Sequence, residues 1–378
     1  MYIKNLYLKQ FRNYQEQQLE LLPGKTILVG DNAQGKTNLL EAIGLLSTLK
    51  TKRARRDREL IMHEETISQI TSTIHRETAP VELAIVLRQN GRRTCTINGE
   101  NARRQIDFMG ILNVVQFSSF DLELVRGGPE ERRTWLDALL VQLEPIYAHI
   151  LQQYNKVLRQ RNALLKEFKK QDYILNSQKS ELALWDAQLA TLGARVTVRR
   201  SRALQRLAPI AETWHQKIGG NTEELEIKYL PNVEAMQDSS VSESAQKAGQ
   251  AFLEKIQSRA IAEQYQGTSL VGPHRDDIAF FLNQQPVRQF GSHGQQRTLV
   301  LSLKLAELKL IEEVVGEPPV LLLDDVLAEL DPKRQNQLFH GIFDRFQTLI
   351  ATTHLDAFAQ KWIDSAQIFT VQAGKISK

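Results

Sequence analysis

"KTILVGDNAQGKTNLLEAIGLLSTL" at residues 25–49 runs from a short β-rich apolar stretch through a glycine-framed turn into a long apolar helix-forming stretch. Inside it, "GDNAQGKT" at 30–37 fits G-x-x-x-x-G-K-[ST], and it sits where that motif has to sit, after a strand and before a helix. Gly30 and Gly35 let the backbone of Asp31, Asn32, Ala33 and Gln34 wrap so that consecutive N–H groups face an anion. The helix starting near Lys36 and Asn38 adds its positive dipole end. Lys36 is expected to reach the β- and γ-phosphates of a nucleotide, and Thr37 to hold magnesium. A glycine turn that happens to precede a helix is the competing reading, and the ordered strand, loop and helix tell against it.

A chain of 378 residues with 24% charged side chains can bury a large core, so one large domain with an insertion, or two domains, is expected. The single cysteine, Cys95, cannot form an intramolecular disulfide, and "MYIKNLYLKQF" lacks the basic-then-apolar pattern of a secretory signal, so the cytosol is the expected compartment. The most apolar stretch, "PPVLLLDD", is cut short by acids, and no membrane span is expected. A net charge of only +4 means that a polyanion partner has to be held by local clusters.

Along the chain, Ile3 to Phe11 reads as a strand, and "VELAIVLRQNGRRTCTING" sets Asn90-Gly91 between two β-rich runs as a hairpin of an appended antiparallel sheet. From about Pro129 to Arg259 glycine becomes rare and charged helical spacing dominates, with "PNVEAMQDSSVSESAQ" at 231–246 reading as a polar loop. Strand patterns return in "DIAFFLN", "PVLLLDD", "QTLIATTH" and "IFTVQAGKI". The expected architecture is an α/β P-loop NTPase core, split over residues 1–125 and 269–378, with a helical lobe inserted at 126–268.

"VLLLDD" at 320–325 reads as a buried strand ending in two acids. Asp324 is placed to share magnesium with Thr37, and Asp325 to polarise a water for attack on the γ-phosphate. "FGSHGQQR" at 290–297 then offers a second helix start built from small residues. Two anion-binding helix starts are hard to use on one triphosphate within one chain. In a two-fold dimer, Ser292 and Gly294 of one chain would meet the γ-phosphate held by the other.

The order of these motifs, with "AELD" after the paired acids, resembles the ABC-type ATPase heads of SMC-like proteins. The blocks "FRNY", "GDNAQGKTNLLEAI", "QRNALLK", "LWDAQLA", "GPHRDD", "GSHGQQRTLVLSLKLAEL" and "LLLDDVLAELD" are similar to the RecF family within that group. The resemblance implies ATP and Mg2+ as cofactors and further site residues. Gln116 would stand as the Q-loop glutamine touching metal and water, and His354 as the switch histidine. Arg12 and Asn13 would border the adenine pocket. Ser292, His293, Gly294 and Gln295 would form the signature used in trans, with Asp331 as the D-loop aspartate. His293 replaces the first glycine of the double-glycine signature of transporter ATPases, and Asp325 stands where most ABC ATPases carry glutamate, so slow turnover is expected. "FSSFD" after Gln116 departs from the proline-containing form of the family.

Two basic runs are candidate DNA contacts: "KTKRARRDRE" at 50–59, with Lys52, Arg53, Arg55 and Arg56, and "RVTVRRSRALQR" at 195–206, with Arg199 and Arg200. Neither interleaves aromatics, which favours backbone-dominated duplex binding, and a solvated helix face is the ordinary alternative for each. The resemblance adds ATP-dependent homodimerisation on double-stranded or gapped DNA. It also adds a RecR-type mediator acting with RecO, loading of RecA-type recombinase at single-strand gaps, and a place in the SOS response. An ATPase subunit coupled to a membrane transporter and a nucleotide-controlled scaffold remain the rival readings.

Overall fold

A computed structural model describes residues 1–171, 175–219, 223–325, 345–356, 358 and 360–378. Two compact units emerge: unit 1 comprises Met1–Leu122, Thr213–Asn221 and Arg297–Lys378, and unit 2 comprises Glu123–Glu212 and Thr222–Gln296.

Unit 1 holds two sheets. The first contains β1 (Tyr2–Phe11), β2 (Tyr14–Glu20), β4 (Ile67–His75), β5 (Val81–Arg88), β6 (Arg93–Ile97) and β7 (Glu100–Asn101), in the order β2-β1-β4-β5-β6-β7. It is antiparallel throughout, and β4 alternates buried with exposed or half-buried positions, as a sheet with one covered face requires. The expected hairpin joins β5 to β6, with Gly91 at φ +79° in its turn.

The second sheet contains β3 (Lys25–Val29), β8 (Val114–Ser118), β12 (Val320–Asp324), β13 (Thr348–Thr352), β14 (Ala366–Gln372) and β15 (Lys375–Ser377), in the order β15-β14-β3-β13-β12-β8. All neighbours are parallel except β15. The unbroken burial of β13, and of β12 up to Asp324, is what parallel strands covered on both faces demand. Helix α1 (Lys36–Thr48) follows β3 and buries Leu39, Leu40, Ile43, Leu45 and Leu46. It ends where Leu49 turns left-handed at φ 56°, and Arg93 donates to the Leu49 carbonyl at 2.5 Å.

Unit 2 carries helices α2 (Pro129–Leu143), α3 (Ile146–Phe168) and α5 (Ala245–Gln266), and most of α4 (Asn176–Gly219). Proline opens α2, and Gly267 at φ 70° closes α5. A three-stranded sheet of β9 (Leu225–Leu230), β10 (Asp277–Leu282) and β11 (Gln285–Pro286) completes the unit, in the order β11-β10-β9. Helix α6 (His293–Val315) begins in unit 2 and continues into unit 1.

The sequence-derived architecture is therefore the one observed, with two corrections. "DIAFFLN" forms β10, which pairs with β9 from Asp277↔Leu230 to Leu282↔Leu225, so it belongs to the lobe and not to the ATPase core. The inserted unit accordingly runs on to Gln296 instead of ending at 268. The 231–246 stretch is also not plain loop, because it contains helical turns at Glu234–Gln237 and Ser239–Ser242 and buries Met236. Among the described residues no helix is long and apolar enough to cross a membrane.

Candidate nucleotide-binding site

β3 lies between β13 and β14, and its last residue, Val29, is level with Thr352 on one side and Thr370 on the other. The loop that follows is gripped from behind. A β-carbon on Gly30 would stand 2.2 Å from the Val371 carbonyl oxygen, and one on Gly35, at φ +124°, would stand 2.8 Å from Asn13 Nδ2. Only glycine fits at either position. Asn13 donates to the Gln34 carbonyl at 2.8 Å, and the Gly374 amide donates to the same oxygen at 2.9 Å. The Ala373 amide donates to Gln34 Oε1 at 2.6 Å, and the Tyr14 hydroxyl to the Gly35 carbonyl at 2.9 Å. Burial pushes the Tyr14 phenol well above its ordinary pKa, so it stays a neutral donor. Asp31, Asn32 and Ala33 form the exposed tip of this braced loop.

Lys36 is 4% exposed and donates to the carbonyls of Gly30 at 2.6 Å and Asp31 at 2.9 Å. Thr37 Oγ1 donates to Asp324 Oδ1 at 2.8 Å, which brings together residues 287 positions apart in sequence. Burial pushes the Asp324 carboxyl up, and neighbouring Asp325 adds to that, while the Thr37 bond opposes it. A carboxylate in that condition favours a nearby cation. Among the described residues no three His, Cys, Asp or Glu side chains cluster to hold a metal. One hydroxyl and one carboxylate oxygen nonetheless suit magnesium, which completes its shell with water and phosphate oxygens. The glycine-walled loop, the buried ammonium and this oxygen pair fit a magnesium-bound nucleoside triphosphate.

Asp325 follows β12 at φ 56°, an αL conformation that is uncommon outside glycine, with its side chain exposed and its amide bonded to the Ala351 carbonyl at 3.1 Å. His354 is exposed two residues beyond β13, and its carbonyl accepts from Thr352 Oγ1 at 3.0 Å. Both lie at the carboxyl edge of the parallel sheet from which the phosphate loop springs, the edge where open α/β sheets bind ligands.

Gln116 is a different matter. It is level with Leu322, whereas Ser118 is level with Asp324. The Gln116 Oε1 atom lies 3.3 Å from where a β-carbon of Gly44 would be, and Gly44 is about 10 Å along the α1 axis from Thr37. The structure does not bring Gln116 to the Thr37 and Asp324 oxygens, and this corrects its expected place beside metal and water. Its expected role came from the resemblance to ABC-type heads; along β8 it shares a face with Ser118, two residues on.

Arg12 and Asn13, expected to border the adenine pocket, are bonded to α1 and to the phosphate loop. Asn13 supports the loop and accepts from Asn38 Nδ2 at 2.9 Å. Arg12 grips Glu41 of α1 with two bonds of 2.9 Å each. Glu41 is 3% exposed and also accepts from Thr51 at 2.6 Å and Arg53 at 3.4 Å. This carboxylate was not among the expected site residues, and its signal in the sequence is the lone acid inside "NLLEAIGLL". Arg53 further donates to Asn38 Oδ1 at 2.9 Å, and Lys52 to Asp121 at 3.0 Å. Arg55 and Arg56 point into solvent with exposed side chains.

In the second basic run the structure removes Arg200 from any DNA surface. It is 3% exposed, bonded twice to Asp137 at 2.8 and 2.9 Å and once to the Pro273 carbonyl at 2.6 Å. Burial alone would lower its pKa, but Asp137 holds the guanidinium well above its ordinary value. Arg199 is half-buried and donates to Glu144 at 3.2 Å.

The signature turn is a reciprocal cap. The Gln295 amide donates to Ser292 Oγ at 3.2 Å, and the Ser292 amide donates to Gln295 Oε1 at 2.7 Å. The Ser292 oxygen acts as acceptor in this cap, which leaves its O–H able to donate to a phosphate. Gln295 Nε2 donates to Glu223 at 2.8 Å, and His293 is exposed at the first turn of α6 beside Gly294. Asp331 lies outside the described residues.

The family described as RecF/RecN/SMC N terminal domain matches residues 2–377. The DNA replication and repair protein RecF of Nostoc punctiforme is 63% identical over 376 residues, covering 100% of this chain and 99% of its own. The protein of the same name from Gloeothece citriformis is 58% identical over 386 residues, with the same coverage. Among solved structures, the recombination mediator protein RecF with ATP, of the RecFOR pathway, superposes with a TM-score of 0.90 at 31% identity over 100% of this chain and 97% of that one. An SMC head bound to the C-winged helix domain of ScpA shares the fold, at a TM-score of 0.57 and 16% identity, covering 100% of this chain and 96% of that one.

Proposed function

The chain belongs to the RecF family of SMC-like ABC-type ATPases, and we propose that it is an ATP-dependent DNA-binding protein of recombinational repair that acts in the cytoplasm. The observation that carries this reading is the 2.8 Å contact between Thr37 and Asp324 beside a phosphate loop braced by the turns at Asn13–Tyr14 and Ala373–Gly374.

The loop amides of residues 30–37 and Lys36 hold the triphosphate of ATP, the substrate. Magnesium, held by Thr37 and Asp324, would neutralise charge on the phosphate oxygens. Asp325 and His354 stand at the sheet edge where an attacking water has to be oriented, and the short Asp325 side chain makes hydrolysis slow. Ser292 and Gly294 of a second chain close the site, so ATP favours a homodimer by mass action and hydrolysis releases it. Arg55 and Arg56 engage the phosphates of double-stranded or gapped DNA, aided by Lys52 and Arg53. The dimer works with a RecR-type mediator and RecO to load RecA-type recombinase at single-strand gaps during replication restart and the SOS response.

The test is fluorescence anisotropy of a labelled gapped duplex titrated with the protein at two salt concentrations, with and without ATP and magnesium, beside Lys36→Ala. ATP is expected to tighten binding at least tenfold in the wild type and not in the variant. Equal binding with and without ATP would remove the nucleotide-controlled clamp.

A further inference from the structure

The signature turn is held by more than its own cap. Gln296, the residue after the signature glutamine, is 6% exposed and points its carboxamide back under the turn. Its Nε2 donates to the Gly291 carbonyl at 3.1 Å, and its amide donates to the Ser292 carbonyl at 2.9 Å. Its Oε1 accepts from Arg126 Nε at 2.8 Å. Arg126 ends the helical turn Glu123–Arg126, a few residues after the strand that carries Gln116. Gly291 packs so closely on Val287 that a side chain has no room there: a β-carbon would lie 2.6 Å from Val287 Cγ1 and 2.7 Å from the Val287 carbonyl oxygen.

We propose that Arg126 and Gln296 are positioning residues for the signature loop. Arg126 orients the Gln296 carboxamide, and the carboxamide fixes the Gly291 carbonyl and with it the direction in which Ser292 and Gly294 meet a partner-held phosphate. An amide side chain suits this post because it must accept on one side and donate on the other, which neither glutamate nor an apolar residue does. The inference rests on the reading that the signature acts in trans on a second copy of the chain. A site of that kind loses about a hundredfold in rate when a reacting group is misplaced by about 1 Å.

The experiment measures ATP-dependent dimerisation by sedimentation and separates kcat from KM for wild type, Gln296→Leu, Gln296→Glu, Arg126→Met and Arg126→Lys. Ser292→Arg serves as the signature control. ATP binding to the dilute monomer and the thermal midpoint are followed in parallel. Gln296→Leu and Gln296→Glu are expected to raise the protein concentration needed for dimerisation at least tenfold and to lower kcat about a hundredfold, with monomer nucleotide affinity within about twofold. Arg126→Met is expected to lower kcat about tenfold, and Arg126→Lys, which keeps one donor, to recover part of that loss. Arg126 is exposed, so its variants remain informative if those at Gln296 do not fold. Unchanged dimerisation and kcat in folded Arg126→Met, with both lost in Ser292→Arg, would overturn the brace while leaving the trans reading intact. If Ser292→Arg also behaves as wild type, the trans reading falls and the brace falls with it.

Discussion

Residues 50–58 and 195–206 read alike as sequence, with six and five basic side chains respectively, yet they fold into opposite circumstances. The first run lies between helix and strand, where no period dictates facing. Lys52 and Arg53 reach acids, and Arg55 and Arg56 stay in solvent. The second lies on α4, where a 3.6-residue period sorts the same chemistry onto two faces. Arg195, Arg202 and Arg206 share the exposed stripe. Arg200 falls with Val196, Thr197, Ala203, Leu204 and Leu207 on the buried one. A charge run therefore predicts a polyanion surface only after its period has been checked against the apolar residues around it.

Three experiments would break or sharpen that contrast. Replacing Arg200 with leucine leaves Asp137 and Asp276 without their cation, which should cost about 3–5 kcal/mol in chemical denaturation. The folded fraction should bind DNA as the wild type does. A stable variant with weakened DNA binding would return Arg200 to the interface.

The same buried region contains His274, bonded to Tyr154 at 2.6 Å and lowered from 6.5 to about 4, first by burial and then by Arg275, Arg133 and Arg161, against the Ser269 carbonyl. A depressed histidine pKa means that the unfolded state binds the extra proton. Its contribution is full above pH 6.5 and disappears as pH falls toward 4, on the order of 3 kcal/mol across that window. The difference in unfolding free energy between wild type and His274→Asn, followed from pH 7 to pH 4, isolates this contribution from that of Asp276. A flat difference curve would refute it.

Arg55→Ala combined with Arg56→Ala should have the smallest effect on stability, within about 0.5 kcal/mol. The logarithmic salt dependence of duplex binding should flatten by about 2. An unchanged salt slope would take this loop out of the DNA interface.

The parts of the candidate nucleotide site were legible in the sequence because they are local: a loop between a strand and a helix, and two acids at the end of an apolar run. The pairing of Thr37 with Asp324 then follows from the fold that such motifs require. Position along a strand was less legible. Gln116 and Ser118 share a face, and only the pairing of β8 with β12 decides which is level with Asp324. The partner of a strand was also hidden, since the alternation in β10 announces a strand but not that β9, about fifty residues earlier, is its neighbour. Glu41 was overlooked because one acid in an apolar helix reads as a surface position until Arg12, Thr51 and Arg53 are seen to converge on it.

The bracing of the phosphate loop also has a bearing on how the chain acquires its shape. β3 is flanked by strands that lie more than 300 residues away, and the turn at Ala373 and Gly374 supplies two of the bonds on Gln34. The antiparallel sheet closes within the first 101 residues, so it can assemble from neighbouring segments. The ATP loop cannot. Its closure waits on contacts of very high sequence separation, the kind that slow folding most. Ile27 and Leu28 are fully buried only once β13 and β14 flank β3, so topology predicts that the candidate nucleotide site forms after the antiparallel sheet.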